Sequence, residues 1–313
     1  MKNDMKNLVK ISNILITLIV LLFITSCNND SIYKDEHYKI QVYLLSGGEN
    51  VFTASYTLNE EEPIQWVTVG CGGSNTNDKE IVVTLEPNPE MVNRFNRMNY
   101  DDERHYAQLL STNRYVIDSY DVTLPAHSNY HYARMPVKVR PLGLSPDSIY
   151  FIPLKIRSVS NYEVNEEKHD LLYRVAIEND YAKQVPATMY SKSGSMTDPP
   201  TVLSGNKRVH PLENDKVRMY IGNETYSENT PIDIIKRLSI VVEILPDNRL
   251  TVLPYGNDME VLMLANNRYF PEFIQGTSIQ RVFELNYRFR IRTDGTWGPW
   301  RTVEERLIRV EDN

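Results

Sequence analysis

Cysteine is nearly missing, with only Cys27 and Cys71 in 313 residues. A disulfide framework is excluded, so folded parts must be held by core burial. Long apolar runs are scarce too. The main one, at 11–24, is about 14 residues long and is interrupted by Ser12, Asn13 and Thr17. That is short of the ~20 apolar residues a spanning helix needs. Positive charge is not in excess: the formal net charge is −7, with 23 acidic and 15 basic groups over residues 28–185 and 17 and 16 over 186–313. Binding to a phosphate backbone needs clustered Lys and Arg, so nucleic acid is excluded as a partner.

Catalytic signatures are missing as well. The chain has no His-Glu-x-x-His, no Gly-x-Ser-x-Gly, no phosphate-binding Gly-rich loop and no dinucleotide fingerprint. His127 and His131 are four apart, but Pro125 and the Ser-Asn-Tyr composition around them argue against a helix that would pair them on a metal. Glu163, Glu166, Glu167 and Asp170 read as a solvated charge run rather than a glycosidase carboxylate pair. Cys71 lies in Gly70-Cys71-Gly72-Gly73 with no flanking base to lower its pKa, so it reads as an incidental residue of a glycine-rich turn. The expectation is a protein that is not an enzyme, with no catalytic residues, metal or cofactor.

What is present begins with an address. Lys2, Lys6 and Lys10 precede the apolar run, and Ile24-Thr25-Ser26-Cys27 closes it. Residues 1–26 thus read as a lipoprotein signal peptide, with Cys27 as the lipid attachment site and a membrane as partner through that anchor. Residues 27–37 are polar and aperiodic and read as a tether.

Beyond the tether, period-2 alternation dominates. Ile40, Val42 and Leu44 alternate with Gln41 and Tyr43, and strand patterns follow at 51–58, 65–69 and 79–85. Between Asn88 and Leu110 the period changes: Asn88 and Pro89 suit a helix start, and Met91, Phe95 and Met98 share a face. Asp102 is a candidate cap for a second turn running to Leu109 and Leu110. Strand patterns resume at 114–117, 121–124, 135–139, 149–157 and 171–178. Many short strands with one helical insertion predict a β-sandwich over 38–184. The Ser-, Gly- and Pro-rich stretch 183–206 places the domain boundary near Gln184.

The second domain, 185–313, reads as an antiparallel barrel or curled sheet. Leu238, Ile240, Val242 and Ile244 line a strand face, and 250–253 returns after Pro246-Asp247-Asn248. Phe283, Leu285, Tyr287, Phe289 and Ile291 alternate with Glu284, Asn286, Arg288, Arg290 and Arg292. Asp294-Gly295 then turns the chain back through 296–303. Tyrosine outnumbers phenylalanine by 20 to 8. Its ring packs into a sheet while its hydroxyl reaches water, which suits β-faces that meet polar ligands as well as ordinary strand interiors.

Trp297 and Trp300 stand three apart in Gly295-Thr296-Trp297-Gly298-Pro299-Trp300-Arg301, beside Arg288 and Arg290. Flat indole faces suit stacking on a sugar ring, and Arg side chains suit its hydroxyls. Trp297, Trp300, Arg288, Arg290 and Arg301 are therefore the candidate glycan-binding residues, although plugging a barrel end would also use two indoles. Trp66, inside a strand pattern, reads as core.

The stretches Pro136-Val137-Lys138-Val139, Ser148-Ile149-Tyr150-Phe151-Ile152-Pro153-Leu154-Lys155-Ile156 and Tyr173-Arg174-Val175-Ala176-Ile177-Glu178-Asn179 resemble an adhesin-like domain of Bacteroides-type surface lipoproteins. The remainder, from Met189-Tyr190-Ser191 through the 281–291 strand to Arg309, resembles the lipocalin-like domain that often follows it. The resemblance implies a mainly β protein with an N-terminal immunoglobulin-like sandwich and a C-terminal lipocalin-like barrel. It further implies a non-catalytic, outer-membrane lipoprotein facing the cell exterior. Its partners would be an oligosaccharide or polysaccharide and an outer-membrane transporter complex, as in starch-utilisation-like uptake. A structural or adhesive surface role, through protein–protein contact, is the alternative.

Overall fold

The structure is a computed structural model that describes residues 38–311 except 129, 226, 228, 229 and 277. The signal segment, Cys27 and the tether lie outside the described residues. The described chain is mainly β.

The N-terminal body is two sheets facing one core. The first runs Glu163–Val164, Gln41–Leu44, Ile64–Gly72, Tyr132–Val139, Tyr115–Val116. The second runs Val51–Thr57, Asp170–Glu178, Tyr150–Val159, Ile81–Pro87, Asp121–Leu124. Alternation sends Val42, Leu44, Val67, Val69 and Val137 inward from one sheet and Ile81, Val83, Leu85, Leu154 and Val175 from the other. Two tyrosines cross this core with their polar ends satisfied. Tyr56 lies 3.1 Å from the Val137 carbonyl and 2.8 Å from the Tyr173 hydroxyl. Each phenol has one proton, so Tyr56 donating to the carbonyl must accept from Tyr173.

Most neighbouring strands are antiparallel, but Val51–Thr57 pairs in parallel with Asp170–Glu178 over seven residues, Val51↔Leu172 to Thr57↔Glu178. The helix expected after Asn88 forms over Glu90–Asn99, with Pro89 as the residue before it. Its buried face is Met91, Val92 and Asn96, packed on Phe151 and Leu172 from the second sheet. Met98, expected on that face, is exposed because Asn96 takes the inward place and clasps Ala107, donating to its carbonyl and accepting from its N–H. The turn capped by Asp102 is only Glu103–His105, after which Gln108–Leu109 joins the second sheet. That sheet is thus covered on both faces by the core and the helix.

The Ser- and Gly-rich stretch expected at the boundary is mostly sheet: Thr188–Met196 pairs with Thr201–Glu213 along its whole length. Its inward residues, Thr188, Tyr190 and Lys192, are large or polar and buried, while its serines face out. The C-terminal sheet then runs Leu250–Pro254, Ser239–Ile244, Lys216–Tyr220, Thr201–Glu213, Thr188–Met196, Arg301–Val310, Ser278–Thr293, Met259–Met263, with Arg268–Gln275 also on Ser278–Thr293. It curls until its ends meet. Leu250 donates to the Asn267 carbonyl at 3.2 Å and Tyr269 to the Asn248 carbonyl at 2.8 Å.

Side chains occupy the inside of the curl, among them Tyr190, Val217, Ile240, Phe283, Tyr287, Phe289 and Leu307. Within it Lys207 Nζ lies 2.5 Å from Glu305 Oε2, both side chains buried, and the Tyr287 hydroxyl is 3.3 Å from Glu305 Oε1. A buried ion pair of this kind is tolerated because each charge answers the other.

Residues 179–184 join the bodies and are pinned to both. Gln184 donates to the Pro146 and Ser148 carbonyls on the N-terminal side. Asn179 donates to the Glu213 and Lys216 carbonyls on the C-terminal side. Beside them Arg218 forks onto Asp147, with Nη2 2.6 Å from Oδ1 and Nη1 on Oδ2. Arg218 is 1% exposed.

Candidate functional site

The Ser278–Thr293 strand builds the site by simple alternation. Phe283, Leu285, Tyr287 and Phe289 fill the barrel, so Arg288, Arg290 and Arg292 must stand on its outer wall. Asp294 (φ 50°) and Gly295 (φ +80°) take the left-handed angles of a tight turn. Trp297 then pairs opposite Arg292, and the Gly298 N–H donates to the Ile291 carbonyl at 2.9 Å. Pro299 and Trp300 step away before Arg301 rejoins the sheet opposite Phe289.

This loop lays the two indoles among the three arginines. The Arg290 guanidinium is 5.0 Å from the Trp297 ring centre and 4.8 Å from that of Trp300. Arg288 reaches Trp300 at 5.7 Å and Arg292 reaches Trp297 at 5.4 Å. The contacts form a chain: Arg288, Trp300, Arg290, Trp297, Arg292. Each exposed cation–π contact is worth about 0.5–1 kcal/mol. Two of the cations are also countered. Arg290 meets Glu260 at 2.5 Å and Arg292 meets Asp258 at 2.7 Å, from the neighbouring Met259–Met263 strand and the residue before it. Arg288 Nε has no hydrogen-bond partner among the described residues.

Of the five expected residues, four therefore come together and one does not. Trp297, Trp300, Arg288 and Arg290 share the outer wall. Arg301 stands opposite Phe289, on the inward register of its strand, and takes no part in the row. Asp258 and Glu260 are the members that sequence reasoning missed. Their pairing with Arg292 and Arg290 is set by a strand neighbour some thirty residues away, and no local spacing announces it. The partly buried indoles and the N–H and carboxylate groups beside them supply apolar ring surface and both hydrogen-bond senses in one place. That combination suits a hydroxyl-rich ring.

Trp66 departs from the core reading. It is 41% exposed on the open face of the first sheet, because Val67 and Val69 take the inward positions of its strand. Ile64 and Tyr132 are exposed on the same face, and Arg134 lies 5.2 Å over the Tyr132 ring. At Gly70 a Cβ would come within 2.6 Å of the Tyr43 ring laid across it, so a larger residue there would have to displace that ring.

Cys71 is buried, and burial raises its thiol pKa. Among the described residues no group of three or more His, Cys, Asp or Glu side chains is placed to hold a metal ion.

A family model for an N-terminal domain matches residues 33–163, and one for a C-terminal domain matches residues 169–308. No curated protein matches the chain. Among solved structures, a Bacteroides ovatus protein of unknown function is similar at 16% identity and a TM-score of 0.67, over 86% of this chain and 94% of that one. A multidomain Bacteroides ovatus protein that includes DUF1735 is similar at 14% identity and a TM-score of 0.64, over 86% and 94%. An auxiliary nutrient binding protein from Bacteroides thetaiotaomicron is similar at 12% identity and a TM-score of 0.56, over 85% and 92%. At these identities the likeness is one of fold, and it spans both bodies.

Proposed function

We propose that this chain is a non-catalytic accessory lipoprotein that binds glycans at the surface of the outer membrane and delivers them to an uptake system. The observation that carries the reading is the row of Trp297 and Trp300, partly buried among Arg288, Arg290 and Arg292 on the barrel's outer wall. Rigid aromatic surface with fixed N–H donors is costly to leave in water and suits a sugar ring. The shared fold with an auxiliary nutrient binding protein supports it. In this reading the two bodies are an immunoglobulin-like sandwich and a lipocalin-like barrel, Cys27 carries the lipid, and a transporter complex is the partner. The test is affinity gel electrophoresis of the full chain through a panel of plant, host and microbial polysaccharides. Retention by at least one polysaccharide, lost in Trp297→Ala and Trp300→Ala, is expected. Retention that survives both substitutions removes this site.

A second reading, adhesion to a protein partner, is favoured by the open face that carries Ile64, Trp66 and Tyr132. Its expected signature is a stable protein complex, weakened by Trp66→Ala, from a chain that no polysaccharide retains.

A further inference from the structure

The tryptophan row is not alone on the barrel's outer wall. A second pair of rings stands further along the same Ser278–Thr293 strand, carried by its neighbour Arg268–Gln275. Phe270 lies opposite Val282 and Phe273 opposite Gln280, so a three-residue step on one strand matches a two-residue step on the other. In a regular strand residues three apart face opposite sides; the bulge at Pro271 and Glu272 turns both rings to one side. That side is the outside. Phe283 and Leu285 fill the barrel, and Val282 and Glu284, which alternate with them, face out.

This cluster repeats the chemistry of the row. The Phe270 and Phe273 ring centres are 6.1 Å apart at an interplanar angle of 78°. Arg306 lies 4.7 Å from the Phe273 ring centre and Arg268 lies 5.7 Å from that of Phe270. The two arginines stand opposite Glu284 from either side, and Arg306 reaches it at 3.6 Å. Val282 is fully buried on the same side, so the rings cover it and are held in place by it. The polar groups stay within reach of a ligand, with the Arg306 side chain 37% and the Glu284 side chain 40% exposed.

Between the two clusters the wall is continuous. Glu284, Asn286 and Arg288 face out from one strand, and Arg306, Glu304 and Thr302 stand opposite them. Each of these side chains can hydrogen-bond, and none is buried. Eight residues separate Val282, beneath the phenylalanines, from Arg290, between the indoles. At the rise of an antiparallel strand that is about 27 Å, longer than one or two sugar rings. Acids alternate with arginines along it, so a polyanion finds no sustained positive field. The same interleaving denies a protein partner the charge-depleted centre that its interfaces use.

We propose that this wall is one track for an extended neutral polysaccharide, held at Trp297 and Trp300 and again at Phe270 and Phe273. The proposal rests on the glycan reading above and adds the form of its ligand, a chain of several rings lying along the strand. Once a chain is held at one cluster, its contact with the other is intramolecular, so affinity climbs when the chain is long enough to reach both.

The test is isothermal titration calorimetry of the full chain in detergent with malto-, cello-, xylo-, manno- and laminari-oligosaccharides, each as a series from two to eight rings. In at least one series the eight-ring member should bind tenfold or more tighter than the two-ring member. Phe273→Ala should erase that gain and leave the two-ring member within twofold, whereas Trp300→Ala should weaken every length. Phe273→Leu, which still covers Val282 but has no ring, is the second variant should Phe273→Ala not fold. A length gain that survives both Phe273 variants overturns the track and leaves the row standing, as does affinity that is flat with length and lost in Trp300→Ala. Binding that needs Phe273 but neither tryptophan overturns the row and the track with it. Where no series binds, the affinity gel decides: retention that falls in Phe273→Ala as it does in Trp297→Ala supports the track, retention indifferent to Phe273 overturns it, and no retention overturns both readings.

Discussion

His210 is carried neutral into the barrel wall: burial pushes its pKa well below the ordinary histidine value, and the Arg218 and Arg208 charges push the same way. In the unfolded chain the imidazole titrates near pH 6.5. Below that pH the unfolded state takes up a proton that the folded state refuses, so the stabilisation present above pH ~6.5 is lost as pH falls. Melting temperature should therefore drop between pH 7 and 5, and the slope should flatten in His210→Asn, as calorimetry across that range would reveal. Arg290 has a different role. It touches both indoles and Glu260, so Arg290→Ala should cost about 1–2 kcal/mol in urea unfolding and shift tryptophan emission to the red. Arg290→Lys keeps the charge but loses the planar fork, and should recover less than half of that.

At the scale of elements, Gly194 shows where packing is tightest. Its φ is +149°, and a Cβ there would sit 2.0 Å from the Glu304 carbonyl oxygen on the adjoining strand. Gly194→Ala must part Thr188–Met196 from Arg301–Val310, and a loss of about 3 kcal/mol or more is expected in thermal unfolding followed by circular dichroism. The elements were unevenly legible. The 283–291 strand and its Asp294-Gly295 turn could be read because alternation and turn chemistry are local, although pairing partners extend the strand to Ser278–Thr293. The hairpin from Thr188 was hidden by its outward serines and by Gly194 and Gly205, whose composition is that of a linker. Trp66 was misplaced by residue type, since its own alternation with Val67 and Val69 points it outward. Within the site, the Trp and Arg members of the row were visible in sequence, whereas Arg301's opposite facing follows from the break at Gly298 and Pro299. The partners Glu260 and Asp258 depend on strand order, which no nearby residue encodes.

For the whole molecule, the seam at Asp147 and Arg218 decides whether the bodies behave as one. These residues are 71 apart in sequence, and the Arg218 side chain is 1% exposed. Asp147→Ala leaves a buried guanidinium without its counter-charge, which costs about 3–5 kcal/mol. Calorimetry should show a single transition in the native chain and two in the variant, the barrel melting first. A single unshifted transition in the variant would mean that the hydrogen bonds of Gln184 and Asn179 hold the bodies together unaided.

The parallel pairing of Val51–Thr57 with Asp170–Glu178 has a mechanical corollary. Tension applied between Val51 and Glu178 enters one strand at its leading end and leaves the other at its trailing end. The seven-residue ladder is then loaded lengthwise, and its hydrogen bonds must yield together instead of peeling apart in turn. Stretched between those two ends, the N-terminal body would resist rupture at that pair of strands.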